Sequence, residues 1–252
     1  MKKNNKKVNA SILIIGNEIL SGRTQDLNVS FISNWLNSNC GISVKEVRII
    51  PDNEKLIIYN LKELKKKYKY IFTTGGIGPT HDDITAQSIS KAFNLKYEFH
   101  KEAYSILEKY YGKIKFNEGR KKMAKMPRGS VLIYNPASAA PGFIINNVFC
   151  LPGVPSILKS MISNCIKYLI KGSKILSKSI NLHTVESNIA KEIGKVQKLF
   201  GRKVDIGSYP FFRLGKIGVS IVLRSSSTNQ LKICLNSIKK IVKTKKIKIF
   251  KI

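Results

Sequence analysis

Cysteine and histidine are scarce in this chain of 252 residues, which has four cysteines and three histidines. The cysteines Cys40, Cys150, Cys165 and Cys234 are far apart and form no Cys-x-x-Cys pair. This spacing argues against a zinc site and against a small disulfide-stabilised scaffold. The pattern is typical of a reducing compartment, and we expect a cytoplasmic location.

Long apolar runs are also missing from the sequence. No stretch approaches the roughly 18 apolar residues that a membrane-spanning helix needs. A basic tail, residues 1–9, leads into only a short apolar segment without a small-residue cleavage site. We therefore expect no membrane partner and interpret the apolar segment as a buried first strand.

Acidic residues number 15 against 45 lysines and arginines, which gives a formal net charge of +30. Most of the excess is lysine, as expected from an AT-rich coding sequence. A dedicated nucleic-acid surface more often shows arginine interleaved with exposed aromatic residues. We therefore interpret the charge as mainly compositional and do not expect a nucleic-acid partner, although such a field attracts phosphate ligands.

Apolar runs and amphipathic patterns alternate along the first 170 residues. The runs 11–15, 44–50 and 70–74 predict strands, and apolar spacing within 27–36 and 56–64 predicts the helices between them. This alternation predicts an α/β fold with a mostly parallel sheet covered on both faces. In such folds ligands bind beyond the carboxyl ends of the strands.

The rest of this region predicts further helices and a hairpin. Helical patterns cover 83–93, 101–111 and 118–125, and the segment 143–151, which precedes an amphipathic helix, predicts a hairpin. We expect the first domain to span residues 10–170.

Residues 171–174 are the best candidate for a linker. Beyond them the pattern is strand, helix, strand, strand, helix, which predicts a small α+β domain over residues 175–252. Its first strand is expected at 179–185 and its final strand at 246–250. The Gly-x-x-Gly segment 215–218 lies between two predicted strands, so we interpret it as a hairpin turn.

A glycine-rich loop directly follows the predicted strand 70–74. Its glycines Gly75, Gly76 and Gly78 would let the backbone approach a ligand closely, and the N–H groups of such a loop bind phosphate oxygens. The loop matches neither a Walker sequence nor a dinucleotide fingerprint. A tight turn without a ligand is the alternative interpretation.

Asp82 and Asp83 lie at the end of this loop, where two acids would repel an anionic ligand unless a cation lay between them. A divalent metal that bridges carboxylate and phosphate resolves the conflict. Helix capping by the segment 80–83 is the competing explanation. Glu18, after the first strand, could be a third acid at the same sheet edge, and His81 is interpreted as incidental.

Five motifs, taken together, resemble the amino-terminal module of competence/damage-inducible protein A, CinA. They occupy residues 16–22, 51–53, 73–85, 139–143 and 151–156, in the order of that family. The same module is similar to the molybdopterin-binding domains of the MoaB/Mog and MoeA proteins. The resemblance implies a three-layer α/β/α fold, and the segment after 175 resembles the KH-like domain that follows in CinA proteins.

For the CinA branch, the resemblance implies metal-dependent hydrolysis of a pyrophosphate such as ADP-ribose or FAD. Asp82 and Asp83 would bind the metal, which we expect to be Mg²⁺, Mn²⁺ or Co²⁺, and Glu18 and Arg120 would assist. We also expect a homo-oligomer, either a dimer or a trimer. The ligand-binding residues carried over by motif are Gly16, Gly75, Gly76, Gly78, Thr80, Thr85, Ala139, Pro141, Gly142 and Gly153.

Ile157 departs from the family pattern, because many CinA modules have a glutamate at this position. Hydrolysis is therefore the leading hypothesis rather than the only one. A non-hydrolytic module that binds molybdopterin or a nucleotide is the alternative, and a nucleic-acid-associated protein is a third. The amidohydrolase domain of long CinA proteins has no counterpart in these residues.

Overall fold

The computed structural model describes residues 7–213 and 215–250. The chain divides into two compact units, the first ending at Gly172 and the second beginning at Ser173. This boundary falls inside the predicted linker. The second unit has its own hydrophobic core, separate from the cores of the first, so the units are described in turn.

The first unit alternates strands and helices along most of its length. The strands are β1 (Val8–Ile15), β2 (Ile42–Ile50), β3 (Tyr70–Thr74), β4 (Tyr97–Phe99), β5 (Lys125–Pro127), β6 (Val131–Ile133), β7 (Gly142–Ile145) and β8 (Val148–Leu151). The helices are α1 (Asn17–Leu20), α2 (Asn28–Trp35), α3 (Glu54–Lys67), α4 (Thr85–Ala92), α5 (Lys101–Tyr111), α6 (Glu118–Lys122) and α7 (Pro155–Met161). A π-helical turn, Leu36–Cys40, extends α2, and 3₁₀ segments occupy Lys113–Lys115 and Ile162–Tyr168.

The main sheet of the described residues has the strand order β2-β1-β3-β8-β7-β6. The first four of these strands are parallel, whereas β7 is antiparallel to both β8 and β6. Strands β4 and β5 form a separate antiparallel pair. The predicted mostly parallel sheet and the predicted hairpin are therefore confirmed.

Both faces of this sheet are covered by helices. Ile12 and Ile14 of β1 belong to the core on the side of α2 and α7, whereas Leu13 and Ile15 belong to the core on the side of α3, α4 and α5. A strand buried on both faces has to be apolar at every position, which explains the continuous run in β1. The three-layer α/β/α architecture is confirmed.

Local sequence signals set the ends of several helices. The Asn53 side chain accepts a hydrogen bond from the backbone N–H of Leu56 at 3.1 Å and so caps α3. Gly41 ends the extension of α2 in the left-handed region, with φ of 64°, as expected of a glycine at a helix stop.

Several predicted boundaries in the first unit are wrong. The helix predicted at 118–125 ends at Lys122, because Lys125 pairs with Phe99 in the β4–β5 ladder. The helix predicted from residue 83 begins at Thr85, because Asp83 is bound within the preceding loop. Strand β1 begins at Val8, inside the predicted basic tail, of which residues 1–6 lie outside the described part of the chain.

The second unit comprises β9 (Leu176–Leu182), α8 (Ser187–Phe200), β10 (Asp205–Arg213), β11 (Lys216–Ser225) and α9 (Thr228–Thr244). The three strands form an antiparallel sheet in the order β10-β11-β9, and both helices contribute to a single core on one of its faces. The predicted succession of elements is thus observed. Leu214, in the β10–β11 turn, lies outside the described residues.

Two strand predictions in this unit need correction. The first strand begins at Leu176 and ends at Leu182, about three residues earlier than predicted. In the described residues, the predicted strand 246–250 is reduced to an isolated bridge between Ile249 and Leu182. None of the described helices is long and apolar enough to cross a membrane.

Phe72 tests the packing of the first unit, because its ring is fully buried and stacks on Phe149 with a centroid distance of 4.8 Å. We expect Phe72→Ala to lower the free energy of unfolding by about 3–5 kcal/mol, since it leaves a cavity between sheet and helices. Urea unfolding followed by fluorescence of Trp35, which packs against the same core, measures this change.

Ile114→Ala is the matched control, because the Ile114 side chain is fully exposed. It should change the free energy of unfolding by no more than about 0.5 kcal/mol. A similarly small effect of Phe72→Ala would contradict the packing described above.

Candidate active site

The glycine loop lies where the ends of strands β1, β3 and β8 come together. The N–H of Gly75 donates to the carbonyl of Leu151 at 3.2 Å, and a Cβ atom on Gly75 would lie 2.0 Å from the carbonyl oxygen of Ile15. A Cβ atom on Gly76 would lie 2.2 Å from the hydroxyl of Thr85. Both glycines also have positive φ. Packing alone therefore requires glycine at these two positions.

Asp83 stabilises the turn that follows the glycines. Its Oδ2 atom accepts hydrogen bonds from the backbone N–H of Thr80 at 2.8 Å and from the Thr80 hydroxyl at 2.5 Å. Helix α4 begins only at Thr85, and no described side chain caps it. The competing prediction that the acids cap this helix is therefore wrong, because Asp83 closes a turn within the loop instead.

A cleft with a volume of about 660 Å³ opens at this edge of the sheet. Its lining comes from the ends of the strands, from the glycine loop and from α6. Ten predicted site residues line it, and they are Gly16, Glu18, Gly75, Gly76, Gly78, Asp82, Asp83, Arg120, Pro141 and Gly153.

Four other predicted residues lie next to residues of the cleft lining but do not themselves line the cleft. Thr85 is buried at the start of α4, and its hydroxyl has no hydrogen-bond partner among the described residues. Gly142 lies in β7, where a Cβ atom would come within 2.4 Å of the Cys150 carbonyl oxygen. Ala139 has a positive φ of 62°, and Thr80 bonds with Asp83.

Asp52 belongs to the site and was missed as a site residue in the sequence. It lines the cleft and accepts a hydrogen bond from the N–H of Asn17 at 3.0 Å. Burial raises the pKa of Asp52, and the negative charges of Glu18, Asp82 and Asp83 raise it further. Its position just after β2 was the available signal, because parallel strands end at the same sheet edge.

Positively charged side chains extend from α6 beside the glycine loop. The Arg120 guanidinium lies 4.1 Å from the centroid of the Tyr111 ring and donates to the carbonyl of Lys115, so its orientation is fixed by two partners. Lys122 donates to the carbonyl of Thr80. Helix α6 therefore places two positively charged side chains beside the loop that carries Asp82 and Asp83.

Tyr97 adds a hydrogen-bond donor close to Asp83. Burial, with a smaller contribution from Asp83, raises the pKa of Tyr97 to about 12. The phenol therefore keeps its proton at neutral pH. It lines a small pocket together with Asp83, Lys122 and Lys125.

The acids of the cleft do not form a ready-made metal cage. Over residues 7–213 and 215–250, no three acidic, histidine or cysteine side chains come close enough together to hold an ion. Carboxylate oxygens are nevertheless the donors that Mg²⁺ and Mn²⁺ prefer. Such a cation would depend on water and ligand oxygens for the rest of its coordination.

Comparison with known proteins agrees with this architecture. Residues 11–172 match the family described as "Probable molybdopterin binding domain". The chain belongs to this molybdopterin-binding domain family. Residues 174–251 match the middle domain of FAD synthase. The KH-like character proposed for this second unit stays a prediction.

Relatives of known sequence match this chain over most of its length. A protein from Archaeoglobus fulgidus is 34% identical over 199 residues, which cover 79% of this chain and 84% of the relative. One from Sulfurisphaera tokodaii is 36% identical over 236 residues, 89% of each chain.

Among solved structures, the protein CinA from Thermoplasma acidophilum, whose function is unknown, is similar. It is 32% identical with a TM-score of 0.61, and the match covers 65% of this chain and 99% of that one. The resemblance to the amino-terminal module of CinA is thereby confirmed.

The raised pKa of Asp52 leads to a pH-dependent prediction. A carboxyl whose pKa is higher in the folded than in the unfolded chain favours folding below its unfolded pKa, and this contribution is lost as pH rises through the folded pKa. Asp52→Asn keeps an acceptor for Asn17 and removes the charge. We expect it to raise the melting temperature at about pH 7 and to leave it nearly unchanged at about pH 3.

Glu63→Gln provides a control of opposite sign. A hydrogen bond from Lys66 lowers the pKa of Glu63, so its stabilisation is present at neutral pH and lost in acid. This variant should melt at or below the wild-type temperature at about pH 7. A gain for Asp52→Asn that is equally large at both pH values would contradict the electrostatic cause.

Proposed function

We propose that this protein is a divalent-metal-dependent nucleotide pyrophosphatase that hydrolyses ADP-ribose or a related dinucleotide such as FAD. The observation that carries the proposal is the composition of the cleft. The glycine loop, which is of a kind that binds phosphate, lines the same cleft as four acids, Glu18, Asp52, Asp82 and Asp83. An anion-binding loop beside mutually repelling carboxylates is best explained by a ligand that brings a phosphate and a cation together.

The cleft has the size and the chemistry for a nucleotide diphosphate. Its volume of about 660 Å³ lies within the usual range of small-molecule sites. Backbone N–H groups of the loop segment 76–78 would bind phosphate oxygens, because those of Gly75 and Thr80 already donate to Leu151 and Asp83. The guanidinium of Arg120, oriented by Tyr111, would offset the negative charge of the phosphate.

Asp82 and Asp83 are the residues that would hold the metal. The Oδ2 atom of Asp83 accepts hydrogen bonds from Thr80, so the Oδ1 atom of Asp83 is the one that would bind the metal. The Asp82 side chain is exposed at the cleft. Mg²⁺ is commonly held by one or two carboxylates together with water and substrate phosphates, and this supply of donors fits that pattern. A bound divalent cation would polarise the phosphoryl oxygens and lower the pKa of water.

A third acid of the cleft would take part in proton transfer. Asp52 is the acid whose pKa is raised, so it is the better candidate in this cluster to accept a proton from attacking water. Water adds one oxygen to a phosphorus atom as the P–O–P bond breaks, so ADP-ribose would yield AMP and ribose 5-phosphate. Tyr97, protonated at neutral pH, would serve as a donor beside Asp83.

Hydrolysis of ADP-ribose by purified protein tests this proposal. AMP should appear with Mg²⁺, Mn²⁺ or Co²⁺ and should not appear with EDTA. Asp82→Ala should lower the rate by about a hundredfold or more, because metal stabilisation of a phosphoryl transition state amounts to several kcal/mol. Asp83→Asn keeps an acceptor for Thr80 and should lower it similarly.

Glu63→Ala serves as the control, because it removes an acid of α3 that pairs with Lys66 and does not line the cleft. Its rate should match that of the wild type. Absence of AMP with all three metals, for ADP-ribose and for FAD, would reject the hydrolase proposal.

A non-hydrolytic binding function is the second candidate, and Ile157 favours it. This residue lines the cleft with an apolar side chain where many CinA modules have a glutamate. The family's description as a probable molybdopterin-binding domain points the same way. A fluorescent pterin that co-purifies with the protein, without turnover of ADP-ribose, would support this function. If Ile157→Glu restored hydrolysis, the glutamate that many CinA modules have at this position would be the group that the reaction requires.

A further inference from the structure

The small sheet of the second unit leaves one of its faces without a helix. Residues of β9, β10 and β11 alternate between the core that packs on α8 and α9 and the opposite face. Tyr209 and Phe211 point to this opposite face, which we call the open face. We propose that the open face binds single-stranded nucleic acid, with Tyr209 and Phe211 stacking on its bases.

The two aromatic side chains lie against glycines of the sheet. Two ring carbons and the hydroxyl oxygen of Tyr209 lie within 2.9 Å of the position that a Cβ atom on Gly207 would occupy. Two ring carbons of Phe211 come equally close to the corresponding position on Gly218, its cross-strand partner. Any other residue at either glycine would displace a ring, so the sequence keeps space for both rings on the sheet surface.

The open face continues beyond these two rings. Phe211 lies 5.7 Å from Phe250, and Phe250 lies 5.2 Å from His183, measured between ring centroids. Tyr209 is 45% exposed. A row of rings across an open sheet offers consecutive stacking positions, and base–aromatic stacking tolerates any base sequence.

Arg224 contributes a cation at the same place. Its guanidinium lies 5.7 Å from the centroid of the Tyr209 ring and donates to the Tyr209 hydroxyl at 3.1 Å. The same guanidinium lies 3.8 Å from a carboxylate oxygen of Asp205, which helps to orient it. An arginine beside an exposed tyrosine ring is a local pattern that the overall lysine-rich composition does not reveal. Exposed Ser177 and Ser179 of β9 add hydroxyl groups that can bond to phosphates and base edges.

The net charge of the second unit favours a polyanion as the occupant of the open face, where Arg224 supplies the nearest cation. Between residues 173 and 252 the sequence contains 18 lysines and arginines but only three acidic residues. A neutral protein partner would gain nothing from this excess, whereas a nucleic-acid strand releases counterions when it binds. Paired bases inside a duplex cannot stack on a protein ring, so the rings select single strands.

Fluorescence anisotropy with labelled oligo(U), oligo(dT) and a DNA duplex, each about 12 nucleotides long, tests the proposal on the full chain. Both single strands should bind more tightly than the duplex at about 50 mM salt, with an affinity that falls steeply as salt rises. Tyr209→Leu and Phe211→Leu should each weaken single-strand binding by about fivefold to a hundredfold. Tyr209→Phe should retain most of the affinity because it keeps the ring.

Phe212→Leu is the matched control, because Phe212 is a neighbouring phenylalanine that is 71% exposed. By the alternation of side chains along β10, it lies on the face opposite to the open face. It should bind like the wild type. Melting curves of all variants verify folding, and ADP-ribose hydrolysis should be unchanged in each, which separates this test from that of the cleft. Equal affinities for Tyr209→Leu and Phe212→Leu, or preference for the duplex, would overturn the proposal.

Discussion

Gly75 lies at the ends of three neighbouring strands of the main sheet, where its backbone closely approaches that of β1. Its N–H donates to the carbonyl of Leu151 at the end of β8, and a Cβ atom on it would lie 2.0 Å from the Ile15 carbonyl oxygen at the end of β1. A Cβ atom on Gly153 would lie in van der Waals contact with the Gly75 α-carbon. This close approach fixes the floor of the cleft. The glycine loop, the acids and α6 are all positioned relative to it.

The acids of the cleft work against the charge of the rest of the molecule. In a chain with a net charge of +30, four of 15 acidic side chains line the same cavity, and their mutual repulsion contributes to the raised pKa of Asp52. Such a cluster costs folding free energy at neutral pH. Its retention beside a phosphate-type loop is understandable if a cation relieves the repulsion when the ligand binds.

Much of the first unit could be predicted, because its strands and helices have strong local signals. The buried run of β3 was predicted at the observed residues, and the helix stop at Gly41 was evident. The strand at Lys125 could not be found in this way, because its partner Phe99 is distant in sequence and no hydrophobic pattern marks it. Pairing across the chain, rather than local propensity, decides such short strands.

The candidate site was predictable in its motifs but not in its contacts. Glycines and acids near strand ends indicated a ligand site, and ten of those residues line one cleft. Asp52 escaped notice because a turn sequence explains an aspartate without any ligand. The hydrogen bonds from Thr80 to Asp83 and the rings over Gly207 and Gly218 depend on three-dimensional packing, which the sequence does not reveal.

The central claim is that phosphate and metal meet between the glycine loop and the acidic pair. A crystal structure with Mn²⁺ and a non-hydrolysable ADP-ribose analogue tests it most directly, because the anomalous signal of manganese locates the ion. We predict a diphosphate on the N–H groups of residues 76–78 and a manganese peak between it and Asp82 or Asp83. A diphosphate bound elsewhere, or manganese bound away from both aspartates, would contradict the claim.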